Sequence, residues 1–196
     1  MISQPALALL EFSSIAAGIE AGDAMVKRAP IASIHSGTVQ PGHFLVMVTG
    51  DVGPVEESVK AGQETGASAL LDIVLLPNVH PGVVSGIAGG RELKEDDAIG
   101  VVETRTVASA IHAADAGLKG AEVTLWQLRL ADGLGGKGIV YFAGLVADVE
   151  AAVEIAVGRV SEQLHRQVII PQLHEEMKAN IETFGRFGVH FDWEQA

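Results

Sequence analysis

Cysteine is absent from all 196 residues. That removes disulfides, thiolate metal ligands, iron–sulfur ligation by this chain and cysteine nucleophiles from the available chemistry. Aromatic residues are scarce, at 5%, so any core must be built largely from small aliphatic side chains. Basic residues are few as well: 13 Lys and Arg stand against 25 Asp and Glu, for a net charge of −12. An acidic chain repels phosphate backbones, which argues against a nucleic-acid partner. No apolar run approaches the ~20 residues that a membrane-spanning helix needs. The opening segment MISQPALALLEF has no basic stretch before its apolar run and no cleavage pattern. The expectation is a cytoplasmic protein with no membrane partner.

What the chain does have is a repeat. Glu11 to Ala29 (EFSSIAAGIEAGDAMVKRA) recurs as Glu103 to Ala121 (ETRTVASAIHAADAGLKGA), offset by 92 residues, with eight of 19 positions identical. Further along the offset becomes 94, pairing Gly42 with Gly136, Gly50 with Gly144, Val55 with Val149 and His80 with His174. The two extra residues fall in Asp132-Gly133-Leu134-Gly135-Gly136, and insertions collect in exposed loops. Each copy is too long for a solenoid unit and long enough for a small domain. Hydrophobic residues make up 48% and mean hydropathy is +0.31. Either a tightly packed core of small side chains or apolar surface buried between subunits accounts for this. Duplication and hydropathy together point to assembly.

Within the first copy, Ala6 to Leu10 reads as a buried strand, with Ser13 or Ser14 capping a helix. Ile15, Ile19 and Val26 give that helix an apolar face; Ala16, Ala17, Gly18, Ala21 and Gly22 keep it thin enough to pack closely. A strand is expected at Ile31 to His35, then a turn at Val39-Gln40-Pro41-Gly42 and a strand at Phe44 to Val48. A helix follows Gly50-Asp51, and a strand over Leu70 to Leu76 stops at Pro77. The second copy repeats the order: Ile99 to Val102, Thr106 to Lys119, Val123 to Leu130, Ile139 to Phe142 and Val146 to Val157. Each copy therefore reads β-α-β-β-α-β, an α+β layer of helices on one sheet. The boundaries are a first domain at residues 4–88, a linker at 89–98, a second domain at 99–182 and an aromatic tail at 183–196. Four aromatics crowd that tail: Phe184, Phe187, Phe191 and Trp193. They either pack back on their own domain or dock on a neighbour.

Candidate chemistry is thin. Gly133 to Gly138 (GLGGKG) suggests a phosphate loop, but Gly138 follows Lys137 where Ser or Thr is needed, and a strand follows instead of a helix. Glycine also lets backbones crowd together, as around a rotation axis. Seven histidines form no H-E-x-x-H or close ligand pair, so no metal site is expected. His43 lies beside the Gln40 turn. His80 and His174 each follow a proline by three residues, which favours a structural role at a recurring contact. Lys27 and Lys119 lie four residues after Asp23 and Asp115, the spacing of a helical ion pair. No G-x-S-x-G is present, so no catalytic residue is assigned.

Several segments agree in order and spacing with one family. These are Leu10-Glu11 with Ser14-Ile15-Ala16, Gly18 to Lys27, Gly50-Asp51-Val52, Val102-Glu103-Thr104, Ala113-Ala114-Asp115 to Lys119, and Gly144 to Val149. Over roughly Gln4 to Ile181 the chain resembles the bacterial microcompartment shell proteins, in the tandem-domain class that forms trimers. Within that class it is most similar to the propanediol-utilisation type with an iron–sulfur site in its pore. The resemblance implies two tandem shell domains, each a ferredoxin-like layer, and a pseudohexameric disc of three chains. Discs would tile edge to edge with other shell proteins into a shell around encapsulated enzymes. It implies a structural protein with no catalytic activity and a central pore for small polar metabolites. Lys27 and Lys119 would lie at the disc edge beside Pro77-Asn78-Val79-His80 and Pro171-Gln172-Leu173-His174, where the family often has arginine in place of Asn78 and Gln172. Gln40, Pro41 and Gly42 would line the pore, alternating with Gly133, Leu134 and Gly135. The relatives' pore turn is Cys-Pro-Gly; with Gln40 there, no cluster and no other cofactor is expected. Two rival readings remain at this point: a small-molecule-binding or regulatory oligomer using the 133–138 loop, and an enzyme with a site between the domains.

Overall fold

The computed structural model describes residues 6–90 and 98–183. Linker residues 91–97 and the tail aromatics Phe184, Phe187, Phe191 and Trp193 lie outside the described residues. The first repeat contains β1 (Ala6–Phe12), α1 (Ile15–Arg28), β2 (Ser33–Val39), β3 (His43–Gly50), α2 (Val52–Gly66), β4 (Leu70–Leu76) and α3 (Pro81–Ile87). The second contains β5 (Ala98–Thr104), α4 (Val107–Gly120), β6 (Thr124–Leu130), β7 (Gly138–Gly144), α5 (Val146–Val160), β8 (Leu164–Pro171) and α6 (Glu175–Thr183). Two antiparallel four-stranded sheets result, ordered β2-β3-β1-β4 and β6-β7-β5-β8. Even a register shift is shared, at Glu11/Phe12 in one sheet and Glu103/Thr104 in the other.

Alternation along β1 explains how the layers stack. Ala8, Leu10 and Phe12 point to the helices of their own domain, joining Met25, Val46, Val48 and Val55. Leu7 and Leu9 point the other way. With Val74 and Leu76 of β4 they join the core of the second domain, against Val107, Ala108 and Ile111 of α4. The first sheet is thus apolar on both faces, and the second domain covers the back of the first.

Caps set the helix starts. Ser14 Oγ accepts from Ala17 N at 3.4 Å, and Thr106 Oγ1 from Ser109 N at 3.3 Å, each satisfying one orphan donor. The structure adds α3 and α6 to the expected six elements per repeat. His80 Nδ1 accepts from Gly82 N at 3.1 Å ahead of Pro81 at the first turn, a position where the missing proline N–H costs nothing. Its counterpart His174 Nδ1 accepts from Glu176 N at 3.3 Å. Strand β2 starts at Ser33 and reaches Val39, later and longer than Ile31 to His35. It is an edge strand with polar residues, so only the continuous ladder to β3 reveals it.

The two cores match in volume though not in sequence. A Cβ on Gly117 would collide with the ring of Phe142; at the equivalent positions of the first domain stand the larger Met25 and the smaller Val48. Similarly, a Cβ on Gly18 would lie 2.6 Å from Phe44 Cδ1, while the second domain puts Ala110 against Gly138. Each bulky gain is offset by a neighbouring loss, as close packing demands. Gly117→Met alone is expected to lower stability by about 2–3 kcal/mol through overpacking, and Phe142→Val alone by about 2–4 kcal/mol through a cavity. The double variant should recover at least ~1 kcal/mol of their sum, read from urea midpoints. Strict additivity would contradict the exchange.

Candidate functional site

Two regions gather the residues singled out by sequence: a pair of loops at one end of the sheets, and the joint between the domains. The β2–β3 turn holds Gln40, Pro41 and Gly42, closed by Gly42 N donating to Val39 O at 2.9 Å. Gly42 has φ +117, a left-handed value that glycine adopts without cost. In the second domain the longer β6–β7 loop folds on itself, with Ala131 N donating to Lys137 O and Leu134 N to Ala131 O, both at 2.9 Å. The two loops touch. Gly133 N donates to Gln40 Oε1 at 3.2 Å, and a Cβ on Gly136 would lie 2.9 Å from Pro41 Cδ. The glycines allow this approach. The contact engages the acceptor end of the Gln40 amide, which sequence alone does not reveal.

Beside each loop stands a carboxylate on the central strand. Glu11, fully buried, has Oε1 3.0 Å from His43 Nδ1 and Oε2 accepting from Val107 N at 2.8 Å. Glu103 binds Lys137, the residue equivalent to His43. Lys137 is therefore engaged by a carboxylate, as a phosphate-binding lysine would not be. Burial pushes the Glu11 carboxyl above its ordinary range, and the bonds from His43, Val107 and Ala108 pull it part of the way back. Sequence analysis treated Glu11 and Glu103 only as register partners. The signal that could have found them is a lone charge ending an otherwise apolar strand, twice.

The joint is built from α4 and the outer face of the first sheet. Glu11 meets the N-terminus of α4, where a carboxylate complements both unpaired N–H groups and the helix dipole. Asp72 on β4 accepts from the hydroxyls of Thr106 and Ser109, the latter at 2.6 Å. At the far end of α4, Asp115 Oδ1 accepts from His80 N at 2.8 Å and its Oδ2 pairs with Lys119 Nζ at 2.6 Å. Lys119 also donates to Asn78 O. Lys119, Asn78 and His80 thus meet, with the lysine on one domain and the Pro-x-x-His segment on the other. Their counterparts do not meet. Lys27 pairs with its own Asp23, at 2.5 Å, while Gln172 and His174 lie at the other end of the chain, exposed.

At the two ends, parts of the faces that the joint covers are exposed, while Ile99, Trp126, Tyr141 and Ala143 of the second sheet are buried with Leu173 and Ile181 packed against them. Ile111 of α4 is 0% exposed, and its equivalent Ile19 on α1 is 56% exposed. Val74 of β4 is 3% exposed, and its equivalent Val168 on β8 is 44%. Sequence reading gave Ile15, Ile19 and Val26 to a packing face of α1. Within the chain α1 instead buries Gly18, Ala21, Gly22 and Met25, and the larger side chains face outward.

A duplicated α+β chain with one filled joint, whose equivalent residues Ile19 and Val168 are exposed at its two ends, defines a tandem-domain protein. The BMC domain family model matches residues 6–79 and 98–173, and the chain belongs to that family. Bacterial microcompartment shell protein PduT of Citrobacter freundii is 41% identical over 174 residues, 88% of this chain and 95% of that protein. A microcompartment protein of Desulfitobacterium hafniense DCB, known from its crystal structure, superposes with a TM-score of 0.76 at 40% identity, over 90% of this chain and 99% of that one. A fused permuted hexameric shell protein from the RMM microcompartment shares the fold, with a TM-score of 0.58 at 19% identity over 81% and 82% of the two chains.

Glu11 gives the joint a pH signature. Its folded carboxyl titrates above the ordinary 4.5, so the native state holds more proton than the unfolded chain in that window. Stability from this group is therefore present at low pH and falls as pH rises through the raised value. Glu11→Gln keeps an acceptor for Val107 N and removes the titration. The wild-type melting temperature minus that of the variant is expected to fall as pH rises above the ordinary carboxyl value of 4.5, measured by thermal denaturation; a rise would contradict the assignment.

Proposed function

We propose that this chain is a structural building block of a bacterial microcompartment shell, acting as a trimer within the bacterial cytoplasm. Three copies join head to tail so that their six domains form a pseudohexagonal disc. The observation that carries this reading is the match between the covered and open faces. Ile111 of α4 is buried against the first sheet where its equivalent Ile19 of α1 is exposed, and Val74 of the first sheet is buried where Val168 of the second is exposed, although Ile99 of the second sheet is already covered in a cluster with Leu173 and Ile181. A head-to-tail contact closes into a ring when its rotation divides a full turn, here into three. Exposed apolar faces of this kind mark protein contacts. The role is constructional, with no catalytic step assigned to any residue.

The disc would contact other discs through its edge, where Lys27 and Lys119 sit with the segments holding Asn78, His80, Gln172 and His174. Partners there are further copies and other shell proteins. Native mass spectrometry is expected to show a species of three times the 20.4 kDa chain. Ile19→Arg, placing charge on the open α1 face, should convert it to single chains that remain folded by circular dichroism. Lys27→Ala should keep the trimer and abolish extended sheets in electron micrographs. A wild-type chain that stays monomeric at micromolar concentration would overturn the trimer, and unchanged sheets in Lys27→Ala would overturn the edge.

At the centre, the contacting loops Gln40-Pro41-Gly42 and Gly133-Leu134-Gly135 would surround an opening. Neutral amides and backbone N–H groups there suit the passage of small polar metabolites, and with no cysteine in the chain no thiolate-held cofactor is assigned. Gln40→Cys would place three thiols around the axis. Anaerobic reconstitution with iron and sulfide is expected to give a visible cluster absorbance in the variant trimer and none in the wild type. No uptake by a variant that is still trimeric would remove Gln40 from the axis.

A further inference from the structure

The equivalence of the two sheets is exact at one pair of positions that differ in charge. Glu11 pairs across its strands with Asp72, and Glu103 pairs with Arg166 in the same register. Asp72 lies inside the chain's own joint, against the first turn of α4. Its carboxylate takes the hydroxyls of Thr106 and Ser109. His112 stands one turn further along the same helix, half-buried, within the field of Asp72. Arg166 is exposed, on the open face of the second sheet.

The helix that would cover Arg166 differs in a matching way. By the repeat offset of 92 residues, α1 has Ala17 where α4 has Ser109, and Glu20 where α4 has His112. Glu20 is exposed. Ala17 removes the hydroxyl that binds a short carboxylate and leaves space for a longer side chain. Glu20, three residues on and on the same face, supplies the anion that a guanidinium would seek. Short anion with hydroxyls on one side, long cation with small residue and carboxylate on the other: the two joints are complementary in both size and sign.

We propose that Arg166 of one copy pairs with Glu20 of the next, and that this reversal of charge sets which domain meets which. The inference rests on the head-to-tail ring proposed above. Sheet of domain one fits helix α4, and sheet of domain two fits helix α1. One wrong pairing sets like charges against each other, and the other leaves the arginine without its carboxylate. Asp72 would face Glu20, and Arg166 would find on α4 His112 in place of a carboxylate, with Arg159 nearby and Lys119 already neutralised by Asp115. Repulsion across a buried contact rejects wrong partners more effectively than attraction recruits right ones. Domains would therefore alternate around the ring, even though both cores share one fold and nearly one backbone.

The test uses the full chain with Arg166→Glu, Glu20→Arg and the two combined, followed by sedimentation velocity over a concentration series. Both side chains are exposed in the single chain, so the variants should fold. Each single variant is expected to weaken trimer formation by roughly tenfold or more, and the double swap to restore it to near wild type. Because the chain has no cysteine, Glu20→Cys with Arg166→Cys gives a second readout: a short bifunctional thiol reagent, spanning the space the two long side chains fill, should yield a covalent trimer. Wild-type trimers with single variants equally tight, or a double variant no better than either single, would overturn the pairing while leaving the ring intact. A spacer that links no copies of a double-cysteine variant that is still trimeric would also overturn it. A wild type that forms no trimer would bring down the ring and the pairing together.

Discussion

Most of this structure follows from a sheet that is apolar on both faces. β1 sends Ala8, Leu10 and Phe12 to its own helices, and Leu7 and Leu9 outward. A half-covered sheet of this kind cannot stand alone in water, because the outer face needs a second layer. Helix α4 supplies it. Glu11, buried at the end of the same strand, binds Val107 N and fixes where α4 begins against the sheet. An unpaired carboxylate there would be costly, so one register is selected over its neighbours. The second sheet has the same kind of outer face, and among the described residues it is covered only in part: Ile99, Trp126, Tyr141 and Ala143 are buried with Leu173 and Ile181 packed on them, while Val168 is 44% exposed.

Duplication then lets the two copies diverge where divergence is useful. The cores exchange volume between neighbouring positions, Met25 with Val48 against Gly117 with Phe142, so the backbones stay alike. The loops at one end do not stay alike. One is a short turn and the other a glycine-rich excursion, and they meet through Gln40 and Gly133. A protein with six identical domains would have one loop repeated six times; this one can place two kinds of surface around one centre. The joints diverge as well, through Asp72 and Arg166, while the histidine caps at His80 and His174 are kept because each starts the short helix that leads out of its domain.

Much of this was legible in the residues, for reasons that can be named. Long helices with Val55 and Val59, or Val149 and Val153, on one face reveal themselves by period. Ser14 and Thr106 mark helix starts through the hydrogen bond their hydroxyls make. The repeat itself located the variable loop, since the two-residue insertion could only sit where the chain is exposed. Other features were not legible. The polar edge strand β2 carries no apolar alternation beyond Ile34. The stripe Ile15, Ile19 and Val26 was visible, but periodicity does not say what covers a stripe, and among the described residues these three stay exposed. Glu11 and Glu103 looked like a register coincidence because their partners are 96 and 34 residues away. Likewise, no spacing rule places Gln40 against Gly133.

The central claim is that the joint seen once within the chain recurs between chains until a ring closes. Single-particle electron microscopy of the purified protein tests it most directly. The expected result is a disc with six lobes whose averages obey threefold and not sixfold symmetry, with the 40–42 and 133–135 loops alternating around the axis. A two-lobed particle, or an open filament of stacked lobes, would contradict it.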